Sequence, residues 1–150
     1  MALASAQIID AVVTRLSGNT PASTRVYASR LWPLAEADLP AWRVIAGDEE
    51  IEAETVHYPA ILLHRLPVRC EGYVKANADA DDAMHAMAEQ ALAALYDTQP
   101  HATLGLSVQS NHPARIERDV VSEGQANLGR ITVELSIKYR TAANNPGTLI

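Results

Sequence analysis

Residues 27–46 read YASRLWPLAEADLPAWRVIA, and the way this stretch is parsed decides the fold. Proline ahead in the chain pushes the residue before it out of the α region, so Pro33 and Pro40 make residues 31–39 a structured connection, with at most one turn started near Ala35. Beyond Pro40, Trp42, Val44 and Ala46 alternate with Arg43 and Ile45 as a half-buried strand. Before it, residues 25–28 form a short extended piece. The stretch is therefore a rigid elbow that sets how one strand enters a sheet, and nothing in it is catalytic.

Working outward toward the N-terminus, residues 5–16 place Ile8, Ile9, Val12, Val13 and Leu16 at helical spacing, and Ser17, Gly18 and Asn19 supply a stop. A polar stretch over 17–24, broken by Pro21, joins this helix to the extended piece. In the other direction, residues 47–55 carry five acids, Asp48, Glu49, Glu50, Glu52 and Glu54, and read as a projecting acidic loop or hairpin tip. Residues 61–74 are extended again, with Leu66, Val68, Cys70, Gly72 and Val74 on one face and Arg69, Glu71 and Tyr73 on the other. Pro67 inside that run points to an edge position or a bulge.

Asp79 is the N-cap candidate of a second helix over 80–96, with Asp81 and Asp82 in its first turn and Met84, Met87 or Ala88, Ala91, Leu92 and Leu95 along its apolar stripe. Leu104, Leu106 and Val108 give a short strand, residues 110–113 a turn, residues 116–121 a strand and residues 123–127 a turn or loop. The clearest strand is the last, where Ile131, Val133, Leu135, Ile137 and Tyr139 alternate with polar residues. Residues 141–150 have turn formers and no pattern, and are expected to be a flexible tail after a single domain over 1–140. The order of elements, without a βαβ series, predicts an α+β domain: two helices packed on one face of a mainly antiparallel, mixed β-sheet. That sheet is expected to bury one face only.

With 150 residues the chain suits one domain, and its 26 alanines and lack of Phe make the core modest, so assembly with further copies would add stability. A net charge of -6 argues against tight nucleic-acid binding, which depends on clustered Lys and Arg. No run approaches the ~20 apolar residues that span a bilayer. The lone Cys70 forms no intramolecular disulfide and is read as a small buried hydrophobe.

The chain has no GxxxxGK[ST], GxGxxG, GxSxG or HExxH, so it is read as a non-enzyme without cofactor or metal. His57, His64 and His85 match no metal-site spacing and read as solvated. The acids of 48–54 lack the glycine turn of a calcium loop. They could instead meet Arg115, Arg118, Arg130, Lys138 and Arg140 of a neighbouring copy, a heterologous contact of the kind that closes rings. Trp42 reads as core or sheet face, whereas Trp32 either covers the core edge or anchors a partner. Met84 and Met87 read as core filling.

Several segments in order resemble the tail-terminator family of long-tailed phages, typified by the minor tail protein of lambda-like phages: QIIDAVVTRL, then AEADLPAWRV leading into a strand, GDEEIEAET, RLPVRCEGYVKA, ADADDAMHAMAEQAL, RIERDV and RITVELSIKYR. The likeness spans residues 5–140 and rests on order and spacing rather than on any one motif. It implies a hexameric ring that caps the tail tube, ends tail polymerisation and presents the head-joining surface. The implied partners are further copies, the tail tube protein and a head-tail connector, with DNA passing through the lumen unheld. The implied location is the head-proximal end of the virion tail, with assembly in the host cytoplasm and no membrane. A neck or connector protein of the same virion is the alternative, and a small ligand-binding domain a more distant one.

Overall fold

Fifteen successive residues from Ile61 to Lys75 form one long strand, its apolar residues Leu66, Val68, Cys70 and Val74 falling on alternate positions from Leu66 onward, and everything else is arranged around that strand. In the computed structural model, residues 3–18, 25–28, 39–96, 104–123 and 126–150 are described. The elements are α1 (Ala4–Leu16), β1 (Val26–Ala28), β2 (Ala41–Ala46), β3 (Glu50–Ala53), β4 (Ile61–Lys75), α2 (Ala80–Leu95), β5 (Ser110–Glu123) and β6 (Ala126–Ala142). Among the described residues the strands make one six-stranded sheet in the order β1-β2-β4-β6-β5, with β3 pairing with β4 beside β2. β1 runs parallel to β2 and the other pairings are antiparallel. This is the α+β, mixed-sheet, single-domain architecture that the element order predicts.

β4 is a central strand, not an edge, and the register shows how it accommodates Pro67. β2 pairs with residues 68–73 of β4 and β3 with residues 62–65, so Pro67 falls at the gap between the two partners. Its carbonyl accepts from the Gly47 N–H at 2.8 Å. In a strand a residue's N and carbonyl point to the same side, so the missing donor faces the turn between β2 and β3 and costs the sheet no ladder bond.

The helices cover one face. Ile8, Val12 and Leu16 of α1 and Met84, Met87, Ala91 and Leu95 of α2 pack on Trp42, Val44, Val68, Cys70, Ile131, Val133, Leu135 and Ile137. Trp42 lies directly across from Gly72, and a Cβ at Gly72 would stand 3.0 Å from Trp42 Cζ3, so the indole occupies the room this glycine leaves. The N-terminus of α2 is turned by Asn77 rather than capped by Asp79: Asn77 Oδ1 accepts from Asp79 N at 3.0 Å and its carbonyl from Ala80 N at 3.2 Å.

Of the two readings of the acidic segment, loop or hairpin tip, the hairpin is found, since Glu50–Ala53 forms β3, an exposed strand held by antiparallel pairing with β4. Two local expectations are corrected. Residues 104–108 are not a strand; Gly105 adopts φ +67, and Leu104 and Val108 turn into the core from an irregular segment. Residues 110–113 are not a turn but the start of β5, which has an irregularity between Pro113 and Arg115 where proline interrupts the ladder. β5 and β6 extend into the segment 123–127, expected as a turn or loop, since Glu123 pairs with Ala126.

The second sheet face is not bare. Ala41, Tyr73 and Leu128 are buried there, with Tyr27 and Leu39 packed against them. Beside them Glu71 is buried and satisfied, accepting from the Tyr73 hydroxyl at 2.8 Å and pairing with Arg69 at 3.0 Å, while Arg43 stands 5.0 Å above the Tyr73 ring. Burial first, and then the Glu71 bond, push the Tyr73 phenol above its ordinary range. The segment 141–150, expected as a flexible tail, is tied back to the body: Ala4 N donates to Pro146 O at 3.1 Å, Ile150 N to Arg140 O at 2.9 Å, and Leu149 packs against the core.

Candidate assembly surface

The five acids of 48–54 divide into three kinds of environment. Glu49 points inward, accepting from the Tyr139 hydroxyl and lying 3.1 Å from His64 Nδ1. His64 Nε2 is 2.8 Å from Thr141 Oγ1, and its ring stacks on Tyr139 with centroids 4.4 Å apart. This corrects the reading of His64 as a solvated residue, because its side chain is buried and tied on both nitrogens. The signal in the sequence was its place in phase with Leu66 and Val68 on the core face of β4.

Glu49, His64 and Thr141 follow the carboxylate, imidazole, hydroxyl order of a nucleophilic triad. Thr141 is only 1% exposed, however, so its hydroxyl has no room to meet a substrate and the cluster ties β3, β4 and β6 together. Burial and the Glu49 bond push the Tyr139 phenol above its ordinary range. Glu49→Ala is expected to cost about 1–2 kcal/mol, because it strands the Tyr139 hydroxyl and one His64 nitrogen. Urea unfolding checks this, and a midpoint equal to that of the parent chain would show that water replaces the carboxylate without loss.

Glu52 and Glu54 are paired within the chain. Arg65 Nη1 reaches Glu52 Oε2 at 3.2 Å, and Arg140 grips Glu54 with Nε to Oε1 at 2.5 Å and Nη2 to Oε2 at 2.9 Å. The Arg140 hydrogen bond holds the Glu54 carboxyl below the usual carboxylate range. Asp48 and Glu50 are exposed and have no cationic partner among the described residues.

The basic candidates divide in the same way. Arg130 makes a two-pronged pair with Asp119, Nε to Oδ1 at 2.9 Å and Nη2 to Oδ2 at 2.5 Å. Arg115 meets Glu117 at 2.9 Å and Glu134 at 3.4 Å. Arg118 is exposed on the helix-side face of β5, where it has His85 Nδ1 at 3.5 Å and no carboxylate partner among the described residues. Among the described residues the acidic stretch therefore meets His64, Arg65 and Arg140, while Arg115, Arg118, Arg130 and Lys138 on β5 and β6 make no ion pair with it. Trp32 lies outside the described residues.

Exposed apolar side chains were not singled out in the sequence, because no periodicity marks them. Ile51, Val56 and Tyr58 are 57%, 108% and 87% exposed on β3 and the connection to β4. Ile116 and Val120 are 37% and 70% exposed, and they flank Arg118 on β5. Each group includes a charge without an opposite partner among the described residues, an arrangement common where surfaces meet other proteins.

Among the described residues no group of His, Cys, Asp and Glu is arranged to hold a metal ion, and no helix is long and apolar enough to cross a membrane. A groove of about 490 Å³ lined by Gln7, Gly105, Leu106, Ser107, Gly147, Thr148 and Leu149 has no titratable side chain on its walls.

No protein-family model matches the chain, and no curated protein matches it. Among solved structures it is similar to a chain of the virion of a native gene transfer agent (GTA) particle, with a TM-score of 0.53 and 20% sequence identity, covering 92% of this chain and 98% of that one. At that identity the likeness is one of fold, and it extends over nearly the whole length of both chains.

Proposed function

We propose that this chain is a structural virion protein that acts by shape, as one subunit of a ring that caps the tail tube, ends tail polymerisation and offers the surface to which the head joins. The observation that carries the reading is the end-to-end fold likeness to a chain of a virion, which supports a virion component. The sequence likeness to tail terminators supports the more specific role, with six copies in the ring, the tail tube protein on one side and a head-tail connector on the other. In this reading the chain performs no catalysis and holds no cofactor. Its acidic surface lets DNA pass through the lumen without gripping it, because like charges repel.

A neck or connector protein of the same virion shares these features and differs in which partner each ring face meets. Adding the purified chain to polymerising tail tubes separates the two readings. A terminator arrests the tubes at a defined length, whereas tubes that keep elongating while the chain binds heads would favour the connector. Native mass spectrometry supplies the second measurement, with a six-copy species expected.

A further inference from the structure

The exposed large apolar side chains of the described residues fall mainly into two unlike groups. One runs along β3 and into its connection to β4, with Asp48, Glu50 and Ile51 toward the Arg65 end and Val56 and Tyr58 beyond Ala53. The other is the β5 stripe of Ile116, Arg118 and Val120, on the same sheet face as the helices, since Ile116 pairs with Val133 and Val120 with Gly129. Val120 is level with Val74 through Gly129, near the far end of β4. Ile51 is level with His64, and Ile116 with Cys70 through Val133, so at about 3.3 Å per residue even these nearest members stand roughly 20 Å apart along the sheet, and the two groups cannot cover each other within one chain.

We infer that the β3–β4 tip of one copy docks on the β5 stripe of the next, with Val56 and Tyr58 covering Ile116 and Val120 and with Asp48 and Glu50 set against Arg118. The occupant is a second copy of this chain because each group supplies what the other lacks: carboxylates without a cation on one side, a guanidinium without a carboxylate on the other, and apolar surface on both. Tyrosine is well suited to such a contact, since it buries a large area at low entropic cost. The tip is held in place by its base, where Arg140 grips Glu54 and Thr55 Oγ1 accepts from Ile61 N at 2.8 Å. Two unlike surfaces on one subunit make a heterologous contact, which closes into a ring when the rotation per step permits. This deepens the ring proposed above and rests on that reading for closure, not for the contact itself.

The test uses two charge variants of the full chain, Arg118→Glu and the pair Asp48→Lys with Glu50→Lys. All three substitutions lie on exposed side chains. Sedimentation velocity is expected to show each variant associating at least tenfold more weakly than the parent chain. An equal mixture should regain assembly, because the reversed tip then meets the reversed stripe and every contact in a ring of alternating copies is restored. Assembly of both variants at parent strength, or failure of the mixture to recover, would overturn the contact while leaving a ring built by other surfaces. Tip variants that assemble normally but no longer bind tail tubes would also overturn it, giving the tip to another virion protein. A parent chain that stays monomeric alone and beside tail tubes would overturn the contact and remove the ring reading with it.

Discussion

Trp42→Ala is expected to lower the free energy of unfolding by about 3–5 kcal/mol, the range for truncating a fully buried large aromatic. The total stability of a domain is only about 5–15 kcal/mol, so the variant should stand close to its unfolding threshold at 37 °C. Trp42 has no exposure and lies in the strand next to β4, facing Gly72, so its removal empties the centre of the layer between sheet and helices. The same contact can be overfilled from the other side. A Cβ at Gly72 would sit 3.0 Å from Trp42 Cζ3 and 3.1 Å from Ile131 Cγ2, and Gly72→Ala is expected to cost about 1–3 kcal/mol through the strain of overpacking. Because the two residues share one volume, Trp42→Leu combined with Gly72→Ala should cost less than the sum of the single changes. Urea unfolding followed by far-ultraviolet circular dichroism measures the parent and four variants, Trp42→Leu alone among them. Simple additivity, or a Trp42→Ala midpoint near that of the parent, would mean that the indole does not organise this layer.

Alkaline pH is expected to produce the second large effect. Burial pushes the Cys70 thiol from 9.0 up to about 12, with the neighbouring Glu71 charge adding to it. The unfolded chain ionises this thiol near pH 9 and the folded chain does not. The stability that comes from keeping it neutral is therefore fully present below pH 9 and is lost as pH climbs toward 12. Each unit in that window removes about 1.4 kcal/mol, so the loss is about 3 kcal/mol by pH 11. The phenols of Tyr73, Tyr96 and Tyr139 are all raised, chiefly by burial, and their effect has the same sign above pH 10. Melting temperatures at pH 8, 10 and 11 should fall steeply, and Cys70→Ala should flatten the part of the fall that begins near 9. A melting temperature unchanged at pH 11 would contradict the placement of these groups.

Both predictions draw on the part of the fold that could be read from the sequence. α1, α2, β4 and β6 each bury one face along enough residues for the apolar period to be visible, and those four elements together with β2 carry nearly the whole core. β3 could not be read this way, since all four of its residues are exposed and only their pairing with β4 makes them a strand. Residues 104–108 show the opposite failure. Leu104, Leu106 and Val108 alternate like a strand, but the positive φ at Gly105 bends the segment so that Leu104 and Val108 reach the core without a ladder. At the start of β5, Ser110, Asn111, His112 and Pro113 have the composition of a turn, and the length of β6 overrides it by offering a partner.

The candidate surface was legible in type but not in partners. A sequence shows that residues 48–54 are acidic and that Arg115, Arg118 and Arg130 are basic. It does not show that Glu49 turns inward to His64, that Arg140 takes Glu54 or that Asp119 takes Arg130, because those pairings join residues far apart in the chain. What the fold leaves over among the described candidates, Asp48, Glu50, Arg118 and Lys138, is a smaller set than composition offered.

All 15 residues of β4 find their β6 partners near the chain's end, Ile61 opposite Ala142 and Lys75 opposite Leu128. During synthesis β4 therefore leaves the ribosome with one long flank open, and that flank is closed only when the last strand arrives. Non-local closure of this kind slows folding and leaves nascent chains prone to sticking together. A gene truncated before codon 126 should accordingly give insoluble product rather than a smaller folded unit, and slower translation should lengthen the exposed interval.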